Sequence, residues 1–154
     1  MTHRENQDQL ELGRTLAVLA TRIDLSRTEQ FGQIDAVEQD FLQRFANNPQ
    51  LQQETKRRVA EAKFNAAHDR HEPIDLCEKL FASLILLGFT NLEKKANVYL
   101  AFVRRLLAEG NTAQARGILS ELRRELEISL QQMPSLVHGE QLRICVELLS
   151  RTTQ

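Results

Sequence analysis

The chain has 154 residues, 42% of them hydrophobic, 5% aromatic and 27% charged, with a formal net charge of −1. That length and apolar content predict one folded domain with an aliphatic core. The balanced charge removes any bulk electrostatic drive toward nucleic acid or an anionic membrane. Six glycines and three prolines in a chain rich in Leu, Ala, Gln, Glu and Arg favour long helices over sheet.

The first nine residues are polar, offer nothing to anchor to a core, and are expected to be flexible. They also lack the apolar run of a signal peptide, and no stretch approaches about 18 consecutive apolar residues, so a soluble, cytoplasmic protein is expected. From residue 10 to 152 the pattern predicts a single helical domain. Leu12, Leu16, Leu19 and Ile23 mark a first amphipathic helix, weakened slightly by Gly13. Ser26 and Glu29 form a possible capping box before Phe31, Ile34, Val37, Phe41, Leu42 and Phe45. This stripe reads as core; as an exposed face it would build a homo-oligomer.

Asn48 as N-cap and Pro49 at the first helical position start the next helix. Leu51, Val59, Ala62 and Ala66 face inward, while Lys56, Arg57, Arg58 and Lys63 face out as a basic cluster. His68 and His71, three apart, could share a metal with Asp69 or Glu72 on a continuous helix. Pro73 argues instead for a loop there, and no metal or other cofactor is expected. Asp75 and Glu78 have capping-box spacing at the head of LCEKLFASLILLG. Leu76, Leu80, Phe81, Leu84, Ile85 and Leu87 cover most of that helix, which predicts burial on more than one side.

Residues 90–131 give the surest local structure. A capping box at Thr90 and Glu93 opens a helix with its stripe at Leu92, Ala96, Tyr99, Leu100, Val103 and Leu106. Gly110 fits a left-handed C′ position. Thr112 opens a second helix through Ala115, Leu119, Leu122, Leu126 and Leu130, and so short a connection makes the two antiparallel. Met133 and Pro134 break the chain before a last helix from His138 to Ser150. Cys77 and Cys145 stand in no metal-ligand spacing and read as buried small apolar residues. The fold expected is all-α, an antiparallel bundle of about six helices with a four-helix core in which the 76–88 helix packs against the hairpin.

No nucleophile–base pair, phosphate loop or metal-binding helix motif stands in the sequence, and a non-enzymatic protein is expected. Two resemblances refine this. Residues 36–130 resemble the histidine-containing phosphotransfer domain of bacterial phosphorelays, through DFLQRFANNPQLQQETKRRVAEAK, the helix ending at Leu87-Gly88, and the Gly110-Asn111 turn before TAQARGILSELRREL. In that family a histidine on the helix before the Leu-Gly accepts the phosphoryl group. Counted back from Leu87-Gly88, its place is taken by Glu78, with Phe81 and Ala82 where a lysine and a glycine follow. The resemblance therefore implies a degenerate phosphotransfer fold that docks a response-regulator receiver, with Glu78 a fixed negative charge where phosphohistidine would stand. Partner-binding candidates are Glu78, Lys79, Lys56, Arg57 and Arg58, and His68 is the alternative phosphorylation site. AEGNTAQARGILSELRRELE is also similar to a tetratricopeptide hairpin, but no copy recurs at that family's period of about 34 residues. A secretion chaperone or immunity protein that neutralises an effector is the other binding function the sequence allows.

Overall fold

The computed structural model describes residues 1–153. Among the described residues seven helices follow one another: α1 His3–Ala20, α2 Arg27–Arg44, α3 Pro49–Asp69, α4 Ile74–Leu87, α5 Leu92–Ala108, α6 Thr112–Gln132 and α7 Leu136–Arg151. The described residues are all-α, with one helix more than the roughly six expected, and the contacts between successive helices, α1 to α4 and α5 to α7, fit antiparallel packing. The chain divides into two compact units, Met1–Phe89 and Thr90–Gln154.

In the first unit α1, α2 and α3 pack on one another, and α4 lies along α3. The shared core is Leu12, Leu16 and Ala20 of α1, Ile34 and Phe41 of α2 with Phe45 just beyond it, and Leu51, Val59 and Ala62 of α3. The Phe31–Phe45 stripe is therefore mainly core. Of the first nine residues, 3–9 do not form a loose tail but belong to α1, with Thr2 as its N-cap. Thr2 accepts from the Glu5 amide while the Glu5 carboxylate takes the Thr2 N–H, a complete capping box. Asn48 adds a hydrogen bond to Glu5 at 2.8 Å, which with the Thr2 contacts holds the carboxyl below its ordinary range. Gly13 serves a close approach: a Cβ there would stand 3.0 Å from the Arg58 guanidinium.

Ser26 and Asn48 cap α2 and α3 as expected, accepting from the Glu29 and Leu51 amides. α1 stops at Ala20, short of Ile23, and the loop beyond it is held from inside. Gln30, fully buried, donates to the carbonyls of Leu19 and Ala20. Arg70 reaches from the end of α3 to Leu25 O at 2.8 Å and Gln30 Oε1 at 3.3 Å, and also binds Glu72.

The second unit is the expected hairpin, α5 and α6, with α7 packed on both. α5 begins one residue later than expected, because Asn91 and not Thr90 is the N-cap, accepting from the Lys94 amide. It ends in a Schellman turn: Asn111 N–H donates to Leu106 O and Gly110 N–H to Leu107 O, with Gly110 at φ +81°. Tyr99, Val103 and Leu106 of α5, Leu119, Leu122 and Leu126 of α6, and Cys145 and Leu148 of α7 are all buried. α7 starts at Leu136, two residues ahead of expectation, because the Ser135 hydroxyl caps it by accepting from the His138 amide. Gln141 then ties α7 to α5 through Glu93 O and Asn97 Oδ1, each at 3.0 Å. Burial pushes the Cys145 thiol up to about 11. It stays protonated at neutral pH and donates to Leu119 O, a packed side chain and not a reactive one.

Lys95 lies 2.6 Å from Glu125 Oε1 and over the Tyr99 ring. Burial opposes the Lys95 charge, but the hydrogen bond to Glu125 and nearby negative groups outweigh it and raise the pKa above the lysine value. Tyr99 is raised chiefly by burial, with Lys95 opposing. Both protons are held more tightly in the folded than the unfolded chain. Their stabilisation is complete below the unfolded pKa values, about 10, and is lost as pH rises through the raised folded ones. Thermal midpoints by circular dichroism should fall progressively above about pH 9, where the Cys145 thiol, also raised by burial, adds its own loss to that of Lys95 and Tyr99. Glu125→Gln should flatten that fall; an unchanged profile would show that the pair does not couple to folding.

Candidate docking face

α4 is the most apolar helix of the chain, yet it departs most from its expected burial. Only Cys77 and Leu84 are fully buried. Leu76, Leu80, Phe81 and Leu87 are half-buried, and Phe81 meets Phe64 of α3 with ring centroids 6.4 Å apart. Ile85 is 44% exposed and Leu86 89% exposed. The helix heavily buried around its circumference is instead α5, with Ala96, Val98, Tyr99, Leu100, Phe102, Val103 and Leu106 all inside.

The spacing of the outward residues makes a continuous strip. Glu78, Ala82, Ile85 and Leu86 are related by steps of four, three and one, which places them on one side of a helix of 3.6 residues per turn. Lys79 and Asp75 flank it, and both are exposed, as are Ala82, Ile85 and Leu86. Its N-terminal half is therefore charged and its C-terminal half apolar.

Glu78 has no capping role. The N-cap of α4 is Pro73, with no side-chain cap, so Asp75 already lies inside the first turn and Glu78 beyond it. Asp75 still favours the helix, as a negative charge near the positive end of its dipole. Glu78 itself is half-buried, at the head of the strip.

The basic cluster of α3 is not presented as expected. Lys56 is exposed, but Arg57 and Arg58 are half-buried and committed inside the first unit. Arg57 Nε donates to Leu87 O at 2.9 Å, neutralising the negative end of α4 beside Gly88. Arg58 pairs with Glu54 at 3.2 Å, and Arg57 reaches the same carboxylate at 3.7 Å. Lys63 pairs with Asp35 on α2. Of this run of like charges, Arg57 and Lys63 thus become struts to α4 and α2, while Arg58 pairs along α3 itself.

His68 and His71 do not share a helix. α3 closes in a Schellman turn, with Glu72 N–H donating to Ala67 O and His71 N–H to His68 O. His71 occupies the left-handed position at φ +53° that a glycine usually takes. His68 is half-buried with its ring parallel to Phe64, and Glu72 is engaged by Arg27 and Arg70. Among the described residues, no three His, Cys, Asp or Glu side chains come together in a metal-binding group, and no helix is long and apolar enough to cross a membrane. Compared with family models, curated proteins and solved structures, the chain finds no match.

Proposed function

We propose that the protein is a non-catalytic protein-binding regulator or adaptor that docks its partner on the outward strip of α4. The observation that carries this reading is Leu86, 89% exposed beside Ile85 at 44% on the most apolar helix of the chain. Leaving such side chains in water forgoes burial of about 1.5–3 kcal/mol each, and exposed apolar surface rimmed by charge is a common mark of a binding site. The resemblance to phosphotransfer domains names the partner class, a response-regulator receiver. It also gives Glu78 the place of the phosphorylated histidine, at the charged head of this strip.

Calorimetric titration against purified receiver domains of the source organism tests the proposal. Glu78→Lys and Leu86→Asp should each weaken binding at least about tenfold, the effect of losing about 1.4 kcal/mol, while circular dichroism melting stays unchanged. Receiver binding indifferent to both substitutions would reject the α4 face. Tight binding of an effector protein, with no receiver binding at all, would instead support the secretion-chaperone or immunity reading. The His68 alternative draws no support from its surroundings, since the helix ends within three residues of it where the family's helix continues.

A further inference from the structure

The second unit carries a different apolar surface, independent of α4. From Ile128 to Gly139 the chain runs ISLQQMPSLVHG, twelve residues without an Asp, Glu, Lys or Arg in a protein that is 27% charged. The fold gathers this stretch at one end of the α6–α7 hairpin, since only residues 133–135 separate the two helices. Ile128, Met133, Leu136 and Val137 are 48%, 72%, 96% and 47% exposed there. Their only polar company on the stretch is uncharged amide, hydroxyl and imidazole, and His138 is held by Gln141 Oε1 at 3.0 Å.

We propose that this corner is a homodimer contact, occupied by the same corner of a second copy of the chain. A two-fold contact sets a patch against itself, so any charge in it meets its like across the interface. A charge-free patch is self-complementary in that respect, and interface cores are depleted of charge in the same way. A membrane surface is the poorer fit, because a lipid-binding corner gains from lysine and arginine at its rim, and this stretch holds neither. With those exposures the four residues leave roughly 500 Å² per copy open. Even with all of it covered the pair buries about 1,000 Å², below the roughly 1,200 Å² of a stable interface and in the range of weak, transient ones, so the dimer should be a weak one.

Light scattering on size-exclusion fractions loaded at about 1 to 100 µM, the range of a small interface, tests it. The full chain should pass from monomer to dimer over that range. Leu136→Asp should shift the midpoint at least tenfold or abolish the dimer. Loss of fold cannot account for this: Leu136 is almost wholly exposed, and an acid in the first turn of α7 suits the helix dipole. Met133→Lys should act alike, and Leu86→Asp on α4 should leave the dimer untouched, which separates this proposal from the docking face. A chain that stays monomeric throughout overturns it, as does a dimer insensitive to Leu136→Asp. Sedimentation of the monomer with neutral phospholipid vesicles, lost in Leu136→Asp, would also overturn it in favour of a lipid contact.

Discussion

Leu84→Ala should destabilise the protein by about 2–5 kcal/mol, whereas Leu86→Ala should stay within about 0.5 kcal/mol of wild type. The two leucines stand two residues apart on α4, with the same helix propensity gain on truncation to alanine, so the contrast isolates burial. Leu84 is 0% exposed and its removal leaves a cavity in a close-packed interior, while Leu86 is 89% exposed and loses only water-facing surface. Urea titration by circular dichroism measures both. Equal costs would mean that the outward face of α4 is covered in the folded protein, and would remove the docking face with it.

The sequence made the helices legible wherever the signal is local. Ser26, Asn48 with Pro49, and Gly110 do what their residue types predict, because a cap or a left-handed turn is decided within about one turn of chain. The boundaries slip where two neighbours can do the same job. Thr90 and Asn91 are both good N-caps, and only the folded backbone selects Asn91. Asp75 and Glu78 have the spacing of a capping box, but Pro73 already starts the helix, which carries the pair past the position where it could cap. At the N-terminus, Thr2 and Glu5 carried a true capping box in a stretch without apolar residues, so the search for a core stripe passed over it.

Burial was less legible, because it depends on how many neighbours a helix receives. α4 is apolar around most of its circumference, but in the first unit it packs along α3 alone, and much of its surface stays outside. The polar candidates show the same limit. Arg57 and Arg58 read as a solvated basic face, but both turn back to Glu54, three and four residues earlier, a pairing the spacing along α3 allows, and Arg57 also reaches Leu87 O on α4, of which that spacing carries no trace. Glu78 and Lys79, by contrast, lie at the outer side of α4, where helical periodicity from the buried Leu84 and Cys77 puts them.

Arg70→Ala should cost about 2–4 kcal/mol, because its guanidinium is the joint of the first unit. It is 16% exposed and donates to Leu25 O, Gln30 Oε1 and Glu72 at once. Gln30, fully buried, in turn holds the carbonyls that end α1. Removing Arg70 therefore leaves a buried amide oxygen and a loop carbonyl without their charged donor, and unsatisfied groups of that kind are costlier than the bond was worth. Arg70→Lys should recover only part of the loss, since one ammonium cannot reproduce a planar fork aimed at three acceptors. Arg27→Ala, which removes only the half-exposed outer partner of Glu72, should cost no more than about 1 kcal/mol. Amide exchange in residues 21–26 should accelerate in Arg70→Ala under native conditions, and in Arg27→Ala it should not. A loop equally protected in both would place the hold on α1 elsewhere, in the core leucines alone.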